Sequence, residues 1–230
     1  MKILFYALRP FDELQYCESN REKYGIDYKW TEEVPTPENL CLAEGCDAVS
    51  TNPCEIRPEY LEAFAQMGVK YLPCRSIGYD HIPLDTAKQL GLRVSHSHYP
   101  PEGVANYTIM LMLMSTRKMN QIMLRAAAQD YSLPGKMGKD LSNCTVGVIG
   151  TGKIGSTVIR HLAGFGCKIL AYDLYPSDEV RTYAQYVSLE ELYAQSDVIT
   201  LHLNATAENY HLIDAAAIEK IKNGPILINT

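Results

Sequence analysis

The sequence lacks the features that would tie it to a membrane, a secretory route or a nucleic acid. Its most apolar segment, Tyr107 to Met114, falls well short of a membrane span and stops at Ser115-Thr116-Arg117-Lys118. The opening stretch Met1-Lys2-Ile3-Leu4-Phe5-Tyr6-Ala7-Leu8 is too short for a secretory signal and runs into Arg9-Pro10. No basic cluster stands out against a formal net charge of −6, which argues against nucleic acid or an anionic bilayer as partner. The seven cysteines (Cys17, Cys41, Cys46, Cys54, Cys74, Cys144 and Cys167) are odd in number, widely spaced and free of any C-x-x-C pair. That pattern suits free thiols in a reducing cytoplasm better than a disulfide scaffold or a zinc site. No internal repeat or low-complexity tract appears. The expectation is a soluble cytoplasmic protein, and 230 residues suffice for one large domain or two modest ones.

What is present centres on Gly150-Thr151-Gly152-Lys153-Ile154-Gly155. The β-branched run Thr145-Val146-Gly147-Val148-Ile149 precedes it and reads as a buried strand. Val158, Ile159, Leu162 and Ala163 follow at helical spacing, and a second apolar run, Lys168 to Tyr172, ends in Asp173. Strand, glycines, helix, strand and an acid about 20 residues on form the order of a dinucleotide-binding βαβ unit. Gly150 would allow the tight turn, Gly152 the close approach of a pyrophosphate, and Gly155 close packing of helix on sheet. The helix N-terminus would offer N–H groups and a positive dipole end to the phosphates. Asp173 would accept hydrogen bonds from the adenosine ribose and repel a 2′-phosphate. Leu174-Tyr175-Pro176 supplies no arginine to welcome one, so NAD is expected over NADP. A phosphate-loop NTPase competes, because Gly147 to Lys153 fits G-x-x-x-x-G-K. It fails where Ile154 replaces the magnesium-binding Ser or Thr.

Short apolar runs alternate with amphipathic stretches elsewhere. Strands are expected at Lys2–Ala7, Asp47–Ser50, Val69–Cys74 and Leu92–Ser95, with helices at Pro58–Met67 and Pro83–Leu90. A long helix from about Glu102 to Ala128 follows His98-Tyr99-Pro100-Pro101, and Tyr99 to Pro101 reads as the crossing between two domains, 1–99 and 100–230. Beyond Asp173 come a helix over Val187–Ala194, a strand over Asp197–Leu203, a helix over Asp214–Ile221 and a strand over Pro225–Thr230. The alternation indicates an α/β protein with parallel sheets.

Five segments in this order and spacing resemble the D-isomer-specific 2-hydroxyacid dehydrogenases. They are Arg75-Ser76-Ile77-Gly78-Tyr79-Asp80-His81-Ile82, Tyr99-Pro100-Pro101-Glu102-Gly103-Val104-Ala105, the Gly150 motif, Asp197 to Leu203, and Ile228-Asn229-Thr230. The likeness is to the D-lactate dehydrogenase branch, including the vancomycin-resistance type, and covers nearly the whole chain. It implies a flavodoxin-like substrate domain and a Rossmann NAD-binding domain closing on a cleft, with hydride transfer between NADH and a 2-oxo acid. It further implies that the Ile77 and Gly78 amides hold the substrate carboxylate and that Tyr99 lines the pocket. Lys153 and Ile154 would lie under the pyrophosphate, Leu203 and Asn204 beside the adenine, and Asn209 and Thr230 near the cofactor. Asn204 stands where a proline is common in the family. The family's catalytic arginine follows the Asn-Thr pair, and its glutamate and histidine lie further on. No catalytic residue is therefore assigned in this chain, and the Rossmann domain is expected to lack its C-terminal portion.

Other features have plainer readings. His81, His96 and His98 are expected as polar residues at the mouth of the cleft, with no metal site, because no ligand set of suitable spacing completes one. His202 is expected to be structural. Met110-Leu111-Met112-Leu113-Met114 reads as core or subunit-interface packing, and the resemblance implies a homodimer through this region. Glu190-Glu191 and Asp12-Glu13 read as solvated faces. The alternative to a dehydrogenase is a non-catalytic NAD-binding, corepressor-like module of the same fold.

Overall fold

In the computed structural model, which describes residues 1–230, the apolar runs settle into two all-parallel sheets. The chain divides into two compact units, Met1–Tyr99 and Pro100–Thr230.

The first unit carries β1 (Lys2–Phe5), β2 (Asp27–Trp30), β3 (Ala48–Ser50), β4 (Tyr71–Cys74) and β5 (Arg93–His96). Their order, β2-β1-β3-β4-β5, is the flavodoxin-like one. Helices α1 (Leu14–Tyr24), α2 (Pro58–Gln66) and α3 (Leu84–Gln89) connect them. α2 begins with a proline, whose missing N–H costs nothing at a first turn, and buries Tyr60, Leu61 and Phe64. These side chains pack with Leu4, Tyr6 and Leu72 in one core. Tyr6 is fully buried and its hydroxyl donates to the Asn39 carbonyl at 2.8 Å, which satisfies the one polar atom it brings inside.

Two elements of this unit escape the periodicity rules. α1, Leu-Gln-Tyr-Cys-Glu-Ser-Asn-Arg-Glu-Lys-Tyr, buries no residue, so no apolar stripe announces it. β2 is an edge strand paired only with β1, and its Asp-Tyr-Lys-Trp sequence stays half-exposed. β1 also stops sooner than expected. Ala7 takes a positive φ of 49°, and the amides of Ala7 and Leu8 turn to the Glu33 and Thr31 carbonyls.

The second unit carries β6 (Thr145–Ile149), β7 (Lys168–Tyr172), β8 (Gln185–Tyr186), β9 (Val198–Leu201) and β10 (Ile226–Asn229), ordered β10-β9-β6-β7-β8. That is the Rossmann arrangement, with β6 in the middle and the strand order reversing between β6 and β9. Val148, Ile149, Leu170 and Ile199 are fully buried, as strands covered on both faces require. The helices are α4 (Glu102–Thr116), α5 (Met119–Ala127), α6 (Lys153–Leu162), α7 (Asp178–Arg181), α8 (Leu189–Gln195) and α9 (Ala215–Lys220). Ser188 caps α8 by accepting the Glu191 amide, and Asp214 caps α9 by accepting the Ala217 amide.

The helix expected from Glu102 to Ala128 is two helices. Lys118 adopts a left-handed φ of 54° between α4 and α5. The Thr116 carbonyl, which a continuous helix would use internally, accepts the Lys139 amide at 2.9 Å instead. Gly138 makes this possible, since a Cβ there would collide with the backbone of Thr116 and Arg117.

Candidate dinucleotide site

The parallel register brings the carboxyl ends of the central strands level. Ile149 pairs with Tyr172 on one side and Leu201 on the other, and Leu201 pairs with Asn229. Gly150, Asp173, His202 and Thr230, each one residue further on, therefore share one end of the sheet. This is the switch point at which open α/β sheets bind ligands.

Each glycine of the motif has its own geometric reason. Gly150 turns out of β6 at φ 90°, and its amide donates to the Tyr172 carbonyl at 2.9 Å. A Cβ on it would strike the His202 carbonyl and the Leu203 side chain. A Cβ on Gly155 would run into the Gly150 carbonyl, so turn and helix touch only because both are glycines. At Gly152 a Cβ would meet nothing within 4 Å, so here the missing side chain keeps space open above the N-terminus of α6. Lys153 and Ile154 form the first turn of that helix, where backbone N–H groups have no acceptor of their own. Lys153 is exposed, and Ile154 is half-buried against the core of the unit.

Asp173 follows β7 and is held firmly. Its Oδ2 accepts the Thr151 amide at 2.5 Å and the Thr151 hydroxyl at 3.0 Å, and its Oδ1 accepts the Tyr175 amide at 2.9 Å. Burial raises its pKa, but the amides of Thr151 and Tyr175 outweigh that effect and hold the carboxyl below its ordinary range. A fixed, ionised acid beside a glycine-lined helix N-terminus fits a dinucleotide with free ribose hydroxyls. Thr151 is a site residue that the glycine pattern conceals, because it occupies an unspecified position of the motif.

The remaining candidates lie in two places. Leu203 packs over Gly150 and is 40% exposed, so its outer face remains available. The Asn209 carboxamide closes the loop after β9, accepting the Thr206 amide at 2.9 Å and donating to the Asn204 carbonyl at 2.7 Å. Asn204 and Asn209 are thus brought together within one loop. The Thr230 hydroxyl lies 3.2 Å from that of the buried Thr108 on α4.

His202 stands one residue past β9, with Nε2 2.9 Å from the Thr200 hydroxyl. Burial lowers its pKa to about 4, which favours the neutral imidazole at physiological pH.

In the first unit, Ile77 and Gly78 sit in the loop after β4. The Ser76 hydroxyl bridges back to the Gly78 carbonyl at 2.6 Å and lies 2.9 Å from Cys74 Sγ, which is 3.4 Å from His81 Nε2. The Ser97 amide donates to the Ser76 carbonyl at 3.0 Å, tying this loop to the end of β5. Burial lowers the His81 pKa, and His96 packs against the Tyr79 ring at 5.1 Å. Tyr99 ends the unit and is 46% exposed. No group of three His, Cys, Asp or Glu side chains is placed to hold a metal ion. The solvated face expected at Asp12-Glu13 needs correcting at Glu13, whose carboxylate is paired with Arg75 at 3.0 Å and only 17% exposed.

Fold and site together define a dinucleotide-binding α/β protein, and comparison with known proteins narrows the class. Residues 109–230 match the family model described as "D-isomer specific 2-hydroxyacid dehydrogenase, NAD binding domain". The D-lactate dehydrogenase of Escherichia coli is 38% identical over 234 aligned positions, spanning 100% of this chain and 70% of that protein. Its apo structure superposes with a TM-score of 0.87 at 37% identity, covering 100% of this chain and 73% of that one. An aromatic 2-oxoacid reductase of Clostridium sporogenes is also 38% identical, again over 100% of this chain and 70% of the relative. The D-lactate dehydrogenase of Aquifex aeolicus, solved with NAD and lactic acid, gives a TM-score of 0.87 at 31% identity over 99% of this chain and 68% of that one. The chain belongs to the D-isomer-specific 2-hydroxyacid dehydrogenase family, whose cofactor is NAD.

Proposed function

We propose that the protein reduces a small 2-oxo acid of the pyruvate type to the D-2-hydroxy acid, with NADH as reductant. The cofactor supplies the hydride, and one proton from solvent or an acid completes the hydroxyl. The observation that carries this reading is the likeness to D-lactate dehydrogenases along the whole chain, joined to a switch-point site whose acid is ionised and pinned.

In this reading Asp173 binds the adenosine ribose, and the Lys153 and Ile154 amides meet the pyrophosphate above the open space at Gly152. Leu203 and Asn204 flank the adenine, while Asn209 shapes the loop that carries them. Thr230 stands near the cofactor, steadied by Thr108. The Ile77 and Gly78 amides hold the substrate carboxylate, and Tyr99 bounds the substrate. Units 1–99 and 100–230 serve as substrate and NAD-binding domains. No residue between Met1 and Thr230 is assigned as acid/base, and His202, bonded to Thr200, is read as structural.

The protein is further proposed to form a homodimer through α4 and α5. A cavity of about 500 Å³ lined by Met110, Leu113, Met114, Met119 and Ile122 interrupts an apolar surface there. Seven free thiols suit a cytoplasmic setting, and no helix is long and apolar enough to cross a membrane.

The test is NADH oxidation by the complete gene product with pyruvate, branched and aromatic 2-oxo acids. Turnover with at least one supports the reading. NADH binding without turnover on any of them would favour a non-catalytic binding module.

A further inference from the structure

We propose that Thr151 and Tyr186 are positioning residues for cofactor choice: a directed hydrogen-bond chain through them holds the Asp173 carboxylate where it accepts a ribose hydroxyl and excludes a 2′-phosphate. The inference rests on the reading that Asp173 meets the adenosine ribose.

The direction of the chain follows from the donors available. Asp173 is ionised and only accepts. The single hydroxyl proton of Thr151 therefore goes to Asp173 Oδ2, at 3.0 Å. The Thr151 oxygen is then the acceptor in its 2.7 Å contact with the Tyr186 hydroxyl, so Tyr186 donates. The Tyr186 oxygen in turn accepts the Ser177 amide at 3.0 Å. Every proton in the sequence Ser177 N–H, Tyr186 O–H, Thr151 O–H, Asp173 has one destination.

The chain brackets the loop that follows Asp173. Leu174 to Ser177 lie between its two ends, tied at one by the Tyr175 amide on Asp173 Oδ1 and at the other by Tyr186. Thr151 is only 8% exposed, so its hydroxyl cannot exchange its partners for water without cost. Oδ2 already takes two donors, whereas Oδ1 takes the Tyr175 amide and keeps acceptor capacity for a ribose hydroxyl. The guanidinium of Arg181 lies 5.1 Å from the Tyr186 ring centroid and pairs with Asp178 at 3.6 Å. Arg181 is thus turned toward Tyr186 and Asp178.

Without the Thr151 hydroxyl the carboxylate keeps only the Thr151 and Tyr175 amides and is oriented less firmly. It then binds the ribose less well and repels a 2′-phosphate less strongly, so discrimination falls from both directions. The experiment is fluorescence titration of the complete gene product and its variants with NADH and with NADPH, which reads binding and needs no turnover. Thr151→Val keeps the amide and the shape but loses the hydroxyl. It is expected to weaken NADH about tenfold, in line with a charged hydrogen bond, while NADPH changes less than about twofold. Tyr186→Phe, a milder change that keeps the ring under Arg181, is expected to move the same ratio about threefold. Thr151→Ser restores the hydroxyl and is expected to restore the ratio. Equal weakening of both cofactors in Thr151→Val, or no change in either, overturns the proposal. Asp173→Asn tests the reading beneath it: if that variant leaves the preference for NADH intact, Asp173 is not the ribose acceptor.

Discussion

Arg75 Nε lies 3.0 Å from Glu13 Oε1, an ion pair across 62 residues in which neither side chain is more than 18% exposed. The same guanidinium donates to Ser50 Oγ at 3.0 Å, the Tyr6 carbonyl at 2.8 Å and the Ala7 carbonyl at 3.2 Å. It thereby ties the approach to α1 to the ends of β1 and β3, at the base of the Ser76–Ile82 loop. Removing it leaves the shielded Glu13 carboxylate with Arg9 alone and takes one donor each from Ser50, Tyr6 and Ala7, of which the Ala7 carbonyl keeps the Asn52 carboxamide at 2.9 Å. Arg75→Met is expected to cost about 3 kcal/mol of stability. Urea unfolding followed by circular dichroism measures this, and a loss under about 1 kcal/mol, the range of a surface pair, would refute the assignment.

The Glu13 carboxyl is raised by burial, but the Arg9 amide and the Arg75 guanidinium outweigh that and lower it overall. A depressed carboxyl adds stability above its unfolded pKa and loses it as pH falls through the folded value. His202 follows the same rule for a different reason. Burial lowers it from 6.5 to about 4, so the unfolded state takes up the proton first. Its contribution is complete above pH 6.5 and lost progressively down to about 4. Stability should therefore fall between these limits before the carboxylates titrate. His202→Gln should flatten that part of the urea-midpoint profile, and an unchanged slope in the variant would show that His202 is not the group responsible.

Two glycines are predicted to be irreplaceable for different reasons. A Cβ on Gly147 would meet Leu192 and Ser196 of the α8 region, inside the sheet–helix interface. Gly147→Ala should cost about 2 kcal/mol through overpacking and leave NADH affinity of the folded protein unchanged. Gly155→Ala would press on the Gly150 carbonyl and displace the turn itself. It should lower NADH affinity more than tenfold, on the order of the strain such a clash imposes. Thermal melts and NADH titration on the same samples separate the two effects.

The Ser76 hydroxyl donates to the Gly78 carbonyl at 2.6 Å and so closes the turn that carries the Ile77 and Gly78 amides. Ser76→Ala should raise KM for the 2-oxo acid about fivefold, the loss of one neutral hydrogen bond, with KM for NADH unchanged. Steady-state kinetics with each substrate varied in turn gives both values. A parallel rise in both would mean that the loop does not act on the substrate.

The dinucleotide unit was legible because each residue of its motif serves a local purpose: an apolar run before Gly150, a helical stripe after Gly155, an acid at Asp173. Chain-level alternation likewise revealed two parallel sheets. Contacts distant in sequence left no local trace. Thr151 and Tyr186 meet across 35 residues, and Glu13, which reads as a solvated acid, finds Arg75 only in the fold. α1 stayed hidden because it buries nothing, and the break at Lys118 because its cause, the Lys139 amide on the Thr116 carbonyl, lies beyond the helix.

Stereospecific reduction of a 2-oxo acid by NADH is read out by chiral analysis of the product. The complete gene product, given NADH and pyruvate, is expected to oxidise the cofactor and yield only D-lactate. NADH left unconsumed, or L-lactate in the product, would rule out a D-specific 2-oxo acid reductase.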